Sequence, residues 1–310
     1  MRRSPTGVIV AALWIAAWVM TLAPCVAWAQ GEGVTSTKTD HFSFVYRKRY
    51  SGVVRRAIEV SDRSRAKIME DLGASEGPVV EVRFARNIEE MRSLCPHQPP
   101  TWADAVAFWP ENVIVISLST KRHRPVSLET VFSHELSHIV LRWVVGDAPV
   151  PRWFNEGLAI VESDEQPIER LKILWPGVAR GEITPLRQLE RRFPAREFQA
   201  NQAYAESADF VRFLARYRGR WRFREMLVRI RQGEPFFGAM SNTWGASVSE
   251  LERAWHRDLR QRYSVIPTVT AGMTMWIGVG VLAVFAYVKR RRDIRRRIDA
   301  MPDDSEEEDG

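Results

Sequence analysis

Two histidines four residues apart, with a glutamate directly after the first, restrict what this 310-residue chain can become more than any other feature. They stand in His134-Glu135-Leu136-Ser137-His138. On an α-helix this spacing turns both imidazoles towards one point, as two ligands of a single zinc ion require, and Glu135 lies beside that point without having to ligate. The flanking residues ask for the same helix. Ser127 can cap its start, Val131, Phe132, Leu136, Ile139 and Val140 supply an apolar face, and Gly146 with Pro149 ends it. With no cysteine nearby, the motif does not offer a closed structural site of four protein ligands, so a position stays open for water.

A third ligand has to come from further along the chain. The spacing that would put a third histidine just beyond the helix fails, because Leu141 and Val144 stand where its glycine and histidine belong. Trp153-Phe154-Asn155-Glu156-Gly157-Leu158-Ala159 reads as the next helix, and Glu156 lies eighteen residues past His138. A carboxylate there completes a two-histidine site with charge that zinc accepts well. Zinc lowers the pKa of bound water to about 7, and Glu135 is then the general base that takes the water's proton and can return it to the leaving amine.

This arrangement resembles the gluzincins, the zinc peptidases of the MA clan with a His-Glu-x-x-His helix and a downstream glutamate. Ala203-Tyr204-Ala205-Glu206-Ser207, the run 210–214, Gly245 and the segment 251–255 look like the later part of membrane-associated peptidase domains of that clan, so the resemblance spans about residues 40–263. It implies a zinc-dependent peptidase that cuts peptide or protein substrates, with His134, His138 and Glu156 holding one Zn2+ and Glu135 activating the water. It also implies a donor for the developing oxyanion, for which Tyr204 is the candidate. By its own surroundings Tyr204 reads equally as a core tyrosine on an apolar helix. Related peptidases bind extended substrate along a strand that precedes the zinc helix, here the segment 102–108.

The fold class expected is α+β and zincin-like: a small N-terminal mixed sheet with helices over 30–125, then a mostly helical part over 126–264 that carries the zinc helix. His41 to Tyr46 reads as a strand, 52–72 as a helix ended by Gly73, and 78–84 as a half-buried strand with Val80, Val82 and Phe84 on one face. The segments 102–108 and 112–118 read as two more strands joined across Pro110, the second fully buried. Ser247 to Glu250 forms a capping box for a last helix with Leu251, Trp255 and Leu259 on one side.

The ends of the chain read as targeting and anchoring segments. Arg2 and Arg3, an apolar stretch over 7–22 and Ala27-Trp28-Ala29 describe a signal peptide, 1–29, cleaved before Gln30. Residues 265–288 carry no charge and suffice as a helix to span ~30 Å of hydrocarbon. Lys289, Arg290, Arg291 and Arg292 follow, which keeps the tail 289–310 cytoplasmic and the preceding domain outside, in a periplasm-like compartment. Of the two cysteines, Cys25 lies in the leader, so Cys95 is alone in the mature chain, no internal disulfide forms, and it reads as an inert thiol. The formal charge of +7 makes the exported part basic, yet export removes nucleic acid as a partner, and the arginine-rich helices read as solvated faces. The alternative function is an inactive peptidase-like domain that binds or assembles envelope proteins without cutting them.

Overall fold

A computed structural model describes residues 33–100, 103–119, 126–164, 167–191 and 197–299. The expected leader, 1–29, and the end of the expected tail, 300–310, lie outside them.

The N-terminal half is a five-stranded sheet. Strands β1 (Val34–Lys38), β2 (Phe42–Arg47), β3 (Val80–Ala85), β4 (Ala105–Phe108) and β5 (Val113–Ser117) are arranged in the order β1-β2-β3-β5-β4. β2, β3 and β5 run parallel at the centre, while β1 and β4 pair antiparallel with their neighbours at the two edges. Alternation decides which residues go to which side. Phe42, Phe44, Val80, Val82, Phe84, Ile114 and Ile116 face the main core. Ala85, Val113 and Val115 face a smaller cluster with Met91 and Leu94 of α2 (Ile88–Leu94). The central strands are therefore covered on both faces, which parallel strands require.

Helix α1 (Ser51–Leu72) and the histidine-bearing helix α3 (Leu128–Val145) cover the main face, with Phe132 edge-on to Phe42 at 5.4 Å between ring centroids. α1 buries Val54, Ala57, Ser61, Arg65, Ile68 and Leu72 at helical spacing. Gly73 stops it in the left-handed region at φ 77°, where only glycine sits without cost, and its N–H closes onto the carbonyls of Met69 and Glu70.

The rest of the described chain is helical: α4 (Arg152–Glu162), α5 (Pro167–Arg180), α6 (Leu186–Arg191), α7 (Glu197–Arg218), α8 (Trp221–Arg231), α9 (Phe236–Trp244) and α10 (Val248–Asp299). Trp153, Phe154, Phe210, Phe236, Trp244 and Trp255 meet at its centre, all buried. α10 opens with the expected capping box: Ser247 N–H donates to Glu250 Oε2 at 2.7 Å and Glu250 N–H donates to Ser247 Oγ at 3.3 Å. Its first turns bury Leu251, Trp255, Leu259 and Tyr263. Asp209 on α7 holds it there, accepting from Trp255 Nε1 at 2.8 Å and from Arg262 Nη2 at 2.7 Å.

Two features of the sheet differ from expectation. Ahead of the first expected strand, Val34–Lys38 forms edge strand β1 against β2. The strand expected over 102–108 begins only at Ala105, with Asp104 before it and residues 101–102 outside the described set. Among the described residues, no helix is long and apolar enough to cross a membrane. The expected transmembrane helix, 265–288, lies within α10, but its side chains at 265–275 and 277 are outside the described set.

Candidate metal centre

His134 and His138 project from neighbouring turns of α3, and the start of that helix is fixed by Ser127, whose Oγ accepts from Thr130 N–H at 3.2 Å. After Gly146 turns the chain, Pro151 starts α4 and brings Glu156 across from the two rings. His134 Nε2 and His138 Nε2 lie 3.7 and 3.9 Å from Glu156 Oε2. One ligand atom from each of the three residues falls within 4.8 Å of the others. A tetrahedral ion with bonds of about 2.0–2.1 Å needs ligand atoms roughly 3.3 Å apart, so two imidazoles and a carboxylate at these separations fit zinc after a small contraction. All three are half-buried, which leaves the ligand side accessible.

The electrostatics suit a cation. Burial works to raise the Glu156 carboxyl, but the facing His134, with His138 and Arg152 beside it, outweighs burial and holds the group down at about 2. It is therefore an anion at neutral pH. Glu135, on the turn between the two histidines, is buried, with 9% of its surface exposed.

Two residues unassigned in the sequence reading complete the surroundings. Asn155 Oδ1 sits 2.8 Å from His138 Nδ1. A carboxamide oxygen only accepts, so with Asn155 Oδ1 as its partner His138 Nδ1 carries a proton, and Nε2 is the nitrogen that faces Glu156. Arg152 has its Nε 3.7 Å from Glu156 Oε1 and donates from Nη2 to the Tyr204 hydroxyl at 3.2 Å. Tyr204 thus stands next to the site through Arg152, on α7 rather than on α3 or α4. The approach of α7 to α4 depends on Gly157, since a Cβ there would lie 2.7 Å from the Ser207 carbonyl oxygen. No signal in the sequence singles out Asn155 or Arg152 except that both flank Glu156 within one turn.

Among the described residues, β4 is the outermost strand on its side of the sheet, and it runs beside α3. Cys95 belongs to the cluster on the opposite face of the sheet, where its Sγ contacts the Met91 carbonyl at 3.1 Å. Burial pushes its thiol up to about 11 against the opposing field of Arg83, so at neutral pH it is a neutral thiol.

A small mixed sheet, a helix bearing two histidines and a following helix bearing a carboxylate make up a zincin-like peptidase domain. The Peptidase MA superfamily profile matches residues 61–261, and the chain belongs to that superfamily. No curated protein sequence matches it. Among solved structures, it is similar to aminopeptidase A of Legionella pneumophila in complex with aspartic acid, at 16% identity and a TM-score of 0.43 over 72% of this chain and 27% of that one. A mutant two-domain M1 zinc metallopeptidase bound to L-arginine gives 16% and 0.44, covering 72% of this chain and 51% of that one. A mutant M1 zinc metallopeptidase from Deinococcus radiodurans gives 15% and 0.42, covering 71% and 50%. The chain therefore spans between about a quarter and a half of the length of these proteins.

Proposed function

We propose that the chain is a zinc-dependent metallopeptidase that hydrolyses peptide bonds in peptides or proteins. The observation that carries this reading is the convergence of His134, His138 and Glu156 within 4.8 Å, on a helix whose intervening residue is the buried Glu135. These three side chains would hold the metal. Zinc bound there supplies Lewis acidity, which lowers the pKa of water to about 7. Glu135 accepts the proton of the attacking water and delivers it to the departing amine. Tyr204 donates a hydrogen bond to the carbonyl oxygen as charge gathers on it. The outer edge of β4 pairs with the backbone of an extended substrate, which sets the scissile bond along α3.

The test is made on the full-length chain purified in detergent. Wild type is expected to carry about one zinc per chain and to cleave members of a mixed peptide library, with cleavage lost to a chelator and restored by zinc. Glu135→Ala is expected to keep the metal and lose cleavage by at least about a thousandfold. Glu156→Gln is expected to lose both. A folded wild type without zinc sinks the site, and a zinc-loaded wild type that binds peptides uncut favours the inactive binding domain.

We propose further that residues 1–29 are a cleaved leader, that 265–288 cross a membrane and that the peptidase domain lies outside the cytoplasm. Supporting this are the uncharged run itself, the Lys289 to Arg292 cluster after it, and the exposure of Trp276, Leu282 and Phe285 on α10. A chain that stays in the membrane fraction through alkaline carbonate, with its catalytic domain open to external protease, fits this topology. Release into the soluble fraction contradicts it.

A further inference from the structure

We propose that Arg152 is a positioning residue of this site, which fixes Tyr204 as a hydrogen-bond donor and divides the two oxygens of Glu156 between metal and protein. The proposal rests on the peptidase reading above and deepens it. Arg152 is the first residue of α4 and reaches two groups at once. Its Nη2 donates to the Tyr204 hydroxyl at 3.2 Å, and its Nε lies 3.7 Å from Glu156 Oε1, one helical turn further on. The other carboxylate oxygen, Oε2, is the one that faces both histidines.

A guanidinium has five donors and no acceptor, whereas a phenol can do either. In the Arg152–Tyr204 pair the phenol oxygen must therefore accept, and its own proton is directed away from Arg152. A tyrosine that stabilises an oxyanion has to give that proton, so the arginine selects the productive orientation of the hydroxyl before substrate arrives, and its charge strengthens the donor. On the other side, the same cation attracts Oε1 of Glu156, leaving a single oxygen to face His134 and His138. Arg152 is 46% exposed in its side chain, so the link lies at the mouth of the site and not in the core.

A double-substitution cycle in the full-length, zinc-loaded chain tests this with two readouts, turnover of a cleaved peptide and calorimetric affinity for a phosphinic peptide, whose tetrahedral anion presents an oxygen where the oxyanion forms. Arg152→Gln replaces a pure donor with a group that can also accept the tyrosine proton. It is expected to lower kcat about tenfold with KM little changed, and to weaken phosphinate binding about tenfold. Arg152→Lys, again donor only, is expected to recover most of both. In a Tyr204→Phe background, Arg152→Gln is expected to cost less than about twofold in either readout, because the group it acts through is gone. Equal losses in both backgrounds would overturn the proposal, as would loss of zinc in Arg152→Gln in step with activity. A wild type that binds zinc and phosphinate but cleaves nothing defeats the peptidase reading alone, since the affinity cycle still reads the Arg152–Tyr204 coupling. Failure of wild type to bind the phosphinate counts against both.

Discussion

An imidazole has two nitrogens, and the one that reaches a metal is decided by what holds the other. For His138 the holder is Asn155, one residue before Glu156, so a single helical turn carries both a candidate ligand and the group that orients another. Asn155→Ala is expected to lower zinc affinity about 10–100-fold while leaving the fold intact, since Asn155 is only half-buried. Competition against a chelating dye measures it, and unchanged affinity would mean that packing alone sets the ring. His134, Glu135 and His138 are legible in the sequence because helical spacing brings them together on α3, and Glu156 because a carboxylate on the next helix completes a two-histidine set. Asn155 and Arg152 are not, because the contacts that mark them, with His138 and with Tyr204, lie 17 and 52 residues away, and a polar residue near Glu156 looks like any other helix-surface residue.

Between elements, the decisive contact is that of α4 with α7, where backbone approaches backbone. A methyl group at position 157 would sit 2.7 Å from the Ser207 carbonyl oxygen and 3.1 Å from its Cβ, with backbone atoms that cannot swing aside. Gly157→Ala is expected to cost about 1–3 kcal/mol of stability by overpacking. It should also reduce cleavage more than zinc content, because α7 carries Tyr204 while α3 and α4 carry the ligands. A thermal melt together with metal analysis checks this, and a fully active, equally stable variant would show that α7 has room to shift. α1 and α3 are readable from sequence because each has a buried face and a marked end at Gly73 or Gly146, and β3 because Val80, Val82 and Phe84 alternate, although its other face is covered too. β1 is not, since an edge strand needs no apolar alternation and Val34–Lys38 has almost none. Nor is the order β1-β2-β3-β5-β4, because each strand records which face is buried and not which neighbour it pairs with.

Across the whole molecule, the sheet half and the helical half are joined by a charge cluster around the buried Glu162 that no periodicity announces. Glu162, at the end of α4, accepts from Arg220 Nη2 at 2.6 Å and lies 3.4 Å from Lys67 Nζ of α1, while Arg220 also reaches Asp71 of α1 at 2.8 Å. Burial dominates the Glu162 carboxyl and raises it to about 7 from 4.5, with Arg220 and Lys67 opposing and Asp71 adding to the rise. The folded state therefore holds this proton more tightly than the unfolded chain. Its contribution to stability is fully present below about pH 4.5 and is lost as pH rises through about 7. Glu156 works in the opposite sense: held down at about 2 in the metal-free protein, it contributes stability above about pH 4.5 that is lost as pH falls towards 2. The two carboxyls of one helix thus act in adjoining windows, and a substitution separates them. Glu162→Gln keeps the shape, removes the proton and leaves Arg220 its bond to Asp71. Denaturant unfolding of the metal-free chain at pH 4.5 and pH 8 is expected to show wild type losing stability relative to Glu162→Gln over that interval, by on the order of 1–3 kcal/mol. A difference between the two proteins that stays constant with pH would mean that Arg220 and Lys67 keep Glu162 ionised throughout. The junction of the two halves would then be a permanent ion-pair cluster, with no proton to release.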